Sequence, residues 1–217
     1  MRTVFAIAVV LMLAASLSAC AGGDSGEEPL PTDTPATTPT PDNFDPSVLT
    51  ALVVQPSEAT GFTGQARVVW NPPATGVVSF SLFYGDDNFT LQTTVGRYQT
   101  ADLFSAGFER IRTGLATLTD SEHNADIAGA DQSFSYQLDT IPATYMLSGV
   151  GNFFVQTGFS ARNPSRKSEV LDAVALQRYH EIAVQHVRQY LANPAAATPA
   201  AGLPTYPRPT ATTPPTP

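Results

Sequence analysis

The stretch VVSFSLFYGDDNFTLQTTV, Val77–Val95, decides the fold. Val78, Phe80, Leu82 and Tyr84 alternate with smaller or more polar neighbours, and Phe89, Leu91, Thr93 and Val95 alternate again beyond the break. A period of two places one set of side chains on a single sheet face. Between the runs stand Gly85, Asp86, Asp87 and Asn88, residues that tolerate the positive φ of tight turns, so the pair predicts a β-hairpin. Upstream, Phe62, Gly64, Ala66, Val68 and Trp70 alternate in the same way until Asn71-Pro72-Pro73-Ala74-Thr75-Gly76 breaks the pattern. The opening is therefore read as a three-stranded antiparallel meander.

Downstream the period lengthens. Phe104, Phe108, Ile111 and Leu115 are spaced as the stripe of an amphipathic helix, with Thr100 as its cap, Asp102 in its first turn and Gly114 as its stop. Phe134, Tyr136 and Leu138 then alternate, residues 139–144 supply a turn, and Tyr145 to Phe159 reads as one longer strand. Ser168 to Leu191 is the clearest helix. Leu176, Tyr179, Ala183, Val187 and Tyr190 share one face, Arg178, Gln185 and Arg188 face away, Ser168 caps the start and Asn193-Pro194 ends it. The order implies an α+β domain: an antiparallel sheet of five to six strands in hairpins with two helices packed on it.

Phe44 to Ala192 is long enough to bury a core of its own. On either side the composition changes. Residues 20–43 and 193–217 are rich in Pro, Thr and small residues and poor in large apolar ones, so both read as disordered spacers. Against 11 basic residues stand 19 acidic ones, for a net charge of −8, and Lys167 is the one lysine. That balance excludes nucleic acid as a partner, because nothing neutralises a row of phosphates.

The N-terminus carries an address. Arg2 precedes an apolar run, Val4 to Ala15, that spans only about 18 Å at ~1.5 Å per residue, short of the ~30 Å of hydrocarbon. It reads as the core of a signal peptide, and Leu17-Ser18-Ala19-Cys20 closes it. That tetrapeptide resembles the lipobox of bacterial lipoproteins. The resemblance implies a signal peptide over residues 1–19, a mature chain starting at Cys20 with lipid on its sulfur, and a domain outside the cytoplasm held on the membrane of the cell envelope. The alternative is an ordinary secretory signal cut near Ala19 or Ala21. Cys20 is the one cysteine, so no intrachain disulfide can form.

Two further stretches, Asp126-Ile127-Ala128-Gly129-Ala130-Asp131-Gln132-Ser133-Phe134 and Val150-Gly151-Asn152-Phe153-Phe154-Val155, come before the terminal helix. Over residues 120–192 they resemble PsbP-like proteins and the extracellular sensor domains of bacterial receptor kinases. The resemblance implies a fold and brings no catalytic residue with it.

Motifs of chemistry are scarce. There is no G-x-S-x-G elbow and no S-x-x-K, and the three histidines lack metal-helix spacing. His180 and His186 stand six residues apart on the last helix, about 240° of rotation, and read as structural residues flanking its apolar stripe. Asp86-Asp87 reads as turn chemistry. Asp120, Glu122, His123, Asp126 and Asp131 form an acidic cluster whose readings are a cation site or a solvated loop. Asn88-Phe89-Thr90 matches a glycosylation sequon that a bacterial lipoprotein leaves idle, and Gly149-Val150-Gly151 lies inside a strand pattern. Trp70, at a strand end beside Pro72-Pro73, is the candidate floor of a ligand pocket. No catalytic residue, metal ligand or cofactor is assigned. The reading is a non-enzymatic, lipid-anchored binding or protein-interaction module. A carrier of an apolar small molecule between sheet and helices is the alternative, and an enzyme is the third class.

Overall fold

The computed structural model describes residues 44–62, 67–74, 76–85, 89–119, 122–138, 142–161, 173–203 and 206. Among them seven antiparallel strands form one sheet in the order β1-β2-β3-β7-β6-β5-β4, an α+β fold with more strands than the alternation had predicted. The strands are β1 Arg67–Ala74, β2 Val77–Gly85, β3 Phe89–Tyr98, β4 Glu122–Asn124, β5 Gln132–Leu138, β6 Ala143–Val150 and β7 Phe153–Ala161. The helices are α1 Leu49–Leu52, extended from a 3-10 turn at Pro46–Val48, α2 Ala101–Ala116, and α3 Ala173–Ala192.

The expected β2–β3 hairpin forms, paired from Val77 opposite Tyr98 to Gly85 opposite Thr90. Thr100 caps α2, its hydroxyl accepting from the Leu103 N–H at 3.2 Å. Gly114 does not stop that helix. It continues to Ala116, and the Thr117 N–H closes it on the Thr113 and Leu115 carbonyls.

Three strand readings change. β1 runs through Pro72-Pro73 instead of ending before them. It is an edge strand, where a residue without an N–H forfeits no ladder bond, and its register shifts between Asn71 and Ala74. The single strand expected from Tyr145 to Phe159 is two, because Gly151 turns at φ 59° and Asn152 follows outside the ladder. Asn152 fastens that turn to β3, its amide donating to the Tyr98 carbonyl at 2.6 Å and its carbonyl accepting from the Tyr98 N–H at 3.0 Å. The turn also inverts the faces, so Tyr145 and Leu147 point to one side and Phe153, Val155 and Phe159 to the other. Finally, β4 forms within the polar passage, its Glu122 opposite Tyr136.

Both faces of the sheet are covered. α2 lies on one, where Phe104, Phe108 and Leu115 meet Tyr98, Phe134, Tyr136, Leu147 and Phe154. α3 and α1 lie on the other, over Phe80, Leu82, Leu91, Met146, Val150 and Val155. Where rings must lie flat, glycine makes room. A Cβ on Gly96 would stand 2.1 Å from the Phe154 ring, and one on Gly158 would stand 2.3 Å from the Tyr145 ring.

Leu176, Ala183 and Val187 of the expected α3 stripe are buried, with Tyr179 and Tyr190 at its margins. His180, read as a boundary residue, lies at its centre with no exposure at all. The C-terminal segment also departs from a spacer. After a 3-10 turn at Pro194–Ala196, the Ala200 N–H donates to the Thr50 hydroxyl at 3.0 Å, Leu203 packs on the α3-side core, and the Tyr206 ring stands 5.2 Å from that of Trp70. Two large side chains give this stretch a foothold that its average composition hides. Ser168 lies outside the described residues.

Candidate functional site

The α3-side face ends in a cleft where the sheet, the start of α3 and the loop after α1 meet. Phe89 opens β3, and Phe159 lies on the neighbouring β7, diagonal to it in the register, so the two rings stack at 5.1 Å with 24° between their planes. Phe62 enters from the loop and stands edge-on to both Phe159, at 5.9 Å, and Tyr179, at 6.0 Å. Edge-to-face pairing suits the ring quadrupoles and adds about 0.5–1.5 kcal/mol per pair to the burial itself. Leu176, Gly61 and Ala175 are the other described lining residues.

The cleft holds about 220 Å³. That exceeds the ~150 Å³ that accommodates a benzene ring and falls below the ~300 Å³ at which drug-sized pockets begin. Among the described residues no charged side chain lines it. Tyr179, the one polar side chain among the described lining residues, is committed, its hydroxyl donating to the Thr60 carbonyl at 2.6 Å. Such a site recognises shape and apolar surface. Among the described lining residues none offsets the desolvation of a charged ligand group.

Behind the cleft runs a buried polar chain. His180 Nε2 lies 2.6 Å from the Ser148 hydroxyl, which lies 2.7 Å from the Ser133 hydroxyl, while Nδ1 lies 3.0 Å from the Thr157 hydroxyl. The Ser148–His180 distance is that of a nucleophile and its base. The surroundings are not: both residues have zero exposure, and a neutral threonine occupies the position where a carboxylate would stabilise an imidazolium. Burial holds the His180 pKa down at about 3, so the ring is neutral and each nitrogen exchanges one hydrogen bond with a hydroxyl. The chain satisfies buried polar groups. None of the described buried side-chain nitrogens or oxygens lacks a partner.

His186 reaches a different place. Its Nδ1 lies 3.2 Å from the Val53 carbonyl and its Nε2 lies 3.1 Å from Glu58, whose other oxygen accepts from the Gln55 N–H at 2.7 Å. This fastens the loop that carries Phe62 to the middle of α3.

Two members of the acidic cluster, Glu122 and Asp131, are each engaged by a different arginine. Glu122 takes a two-pronged contact from Arg112, at 2.6 and 3.0 Å, and a hydrogen bond from the Tyr136 hydroxyl at 2.8 Å; the Arg112 bonds hold its carboxyl below the usual carboxylate range. Asp131 pairs with Arg188, which also donates to the Gly129 carbonyl, and accepts from the Gly151 N–H at 2.6 Å. Among the described residues no three His, Cys, Asp or Glu side chains gather as a metal site would require. Trp70 does not line the cleft; it packs between Phe80, at 4.5 Å, and Tyr206. Cys20, Asp86, Asp87, Asn88 and Asp120 lie outside the described residues. Among the described residues no helix is long and apolar enough to cross a membrane.

Sequence reasoning missed Phe62, Phe89, Phe159 and Tyr179 as a group. Each was visible as an apolar residue of its own element, and no local pattern joins a loop, two strands and a helix.

No family model matches the chain, and no curated protein matches it. Among solved structures it is similar to the extracellular domain of PknH from Mycobacterium tuberculosis. The identity is 12% and the TM-score 0.41, over 64% of this chain and 94% of that one.

Proposed function

We propose that this chain is an extracytoplasmic binding module, held on the membrane through lipid at Cys20, that takes a small uncharged ring or a short branched aliphatic group in the cleft of Phe62, Phe89, Phe159 and Tyr179. The cleft carries the reading: a recess of about 220 Å³ whose described lining is aromatic and aliphatic and holds no charge. The address rests on Leu17-Ser18-Ala19-Cys20 and the apolar run before it. The reading is non-enzymatic, which the sealing of the Ser148–His180 pair from solvent supports, as does a described cleft lining that offers neither nucleophile nor base.

Saturation-transfer NMR with toluene, indole and isovalerate as probes tests the binding. Toluene and indole should show saturable transfer that weakens at least tenfold in Phe159→Ala, with isovalerate engaging through its methyl groups alone. Absence of transfer from all three, or equal transfer in Phe159→Ala, overturns the reading.

A further inference from the structure

Both ring nitrogens of His186 face acceptors. Nδ1 lies 3.2 Å from the Val53 carbonyl, and Nε2 lies 3.1 Å from Glu58 Oε1. A neutral imidazole carries one N–H, so it satisfies one of these partners and sets a lone pair against the other. The imidazolium donates to both. With 19% of the His186 side chain exposed, a ring nitrogen that loses its partner regains little water. The closed contact therefore holds one proton more than a neutral ring beside a carboxylate.

Glu58 is in turn tied to the wall of the cleft by a run of turns. Its Oε2 accepts from the Gln55 N–H at 2.7 Å, its carbonyl accepts from the Thr60 N–H at 2.8 Å, and the Ala59 carbonyl accepts from the Phe62 N–H at 3.2 Å. Gly61, at φ 103°, supplies the bend before Phe62. A shift of the Glu58 carboxylate is thus carried along four residues to the ring that faces Phe159 and Tyr179.

We infer that His186 and Glu58 form a proton-operated latch on the Phe62 wall, closed while the imidazole is charged and released when it loses its proton. Its consequence for a ligand rests on the binding reading above. Histidine changes charge between about pH 5 and 8, so the cleft grips an uncharged ring in mildly acidic surroundings and releases it in mildly alkaline ones. The Tyr179–Thr60 bond holds the loop at a second point, so release loosens the wall without detaching it. The groups around the latch leave the proton to this pair. From β2 comes Tyr84, whose hydroxyl donates to the Val54 carbonyl at 2.6 Å and whose pKa burial, and then Glu58, raise. Arg97 of β3 lies over the Phe44 ring at 4.4 Å, and neither α1 nor residues 193–203 carry a charged side chain. On α3 itself, Glu181 accepts from Gln177 at 2.8 Å, Arg188 pairs with Asp131, Arg178 stands more than two turns away, and His180, held at about 3, stays neutral throughout this range.

Hydrogen exchange on the full chain, without ligand, reads the latch directly. Protection factors of the Thr60 and Phe62 amides should fall about fivefold between pH 5.5 and 8.5. Glu58→Gln should reverse the trend. Its amide oxygen can keep the Gln55 N–H, while its NH₂ donates to the lone pair of a neutral ring and opposes the N–H of an imidazolium. His186→Ala, with no imidazole to titrate, should show low protection at both pH values. Toluene, which carries no titrating group, should bind the parent severalfold more tightly at pH 5.5 than at pH 8.5. Parent protection that is flat with pH, or that falls equally in Glu58→Gln, overturns the latch whether or not toluene binds. Toluene affinity that is flat while protection changes overturns its coupling to the cleft. Protection that follows the latch while toluene binds at no pH supports the latch and overturns the cleft reading alone.

Discussion

The hydroxyl of Tyr179 donates to the carbonyl of Thr60 across 119 residues of sequence, and this bond closes the loop that carries Phe62 against the first turns of α3. Tyr179→Phe keeps the ring and removes the bond. The loss should cost about 0.5–1.5 kcal/mol, and the Phe62 wall should loosen, weakening toluene binding severalfold. Urea unfolding and saturation transfer on one sample check both.

His180 makes stability depend on pH. Its pKa is about 3 in the folded chain against an ordinary 6.5, so below pH 6.5 the unfolded chain binds a proton that the folded chain refuses. Stability contributed by the neutral ring is therefore intact above pH 6.5 and declines as pH falls toward 3. The slope approaches about 1.4 kcal/mol per unit. Urea midpoints measured from pH 7 to 4 should fall in the parent and flatten in His180→Leu. That variant should start lower by about 1–3 kcal/mol because Ser148 and Thr157 each lose a partner. Parallel curves would show that another group governs the acid limb.

Val187 and Arg188 are neighbours with different burdens. Val187 has no exposure, so Val187→Asp buries a carboxylate without a counter-charge and costs several kcal/mol of a typical ~5–15. Arg188 had been read as facing water, yet it pairs with Asp131, which in turn holds the Gly151 N–H of the β6–β7 turn. Arg188→Asp therefore sets two carboxylates together at a half-exposed site and should cost about 1 kcal/mol, limited by solvent screening. Guanidinium titrations of the two variants should rank them in that order.

The anchor has its own test. Cys20→Ser should abolish incorporation of labelled fatty acid and leave an uncleaved precursor in cells that process lipoproteins. Equal labelling of variant and parent would assign the lipid elsewhere.

Legibility followed solvent. The β2–β3 hairpin could be read because Gly85-Asp86-Asp87-Asn88 interrupts two clean alternations, and α2 could be read because one face of it meets water. β6 and β7 are buried on both faces, so their sequence runs apolar without period, and Gly151-Asn152 passed for more of the same strand. His180 was assigned to the margin of α3 because it is polar; the stripe through Leu176, Ala183 and Val187 in fact passes through it, and hydroxyls from β6 and β7 compensate its burial. The C-terminal segment was hidden by its prolines, since docking through Leu203 and Tyr206 needs no periodicity. The cleft was illegible for a related reason: a ring that lines a recess and a ring that fills a core leave the same letter in the sequence.

The rings laid over Gly96 and Gly158 act as alignment keys for the sheet. A β3–β7 pairing slipped by two residues keeps every side chain on its proper face, so hydrophobic pattern alone does not reject it. The slip would carry Phe154 off Gly96 and onto Thr94 or Tyr98, where a side chain already occupies the ring's place. The same slip between β6 and β7 would drive Tyr145 onto Gln156 or Ser160. With two of the longest pairings each admitting a ring at one position only, misaligned sheets are penalised as they form, and the central strands find a single alignment without the help of a disulfide.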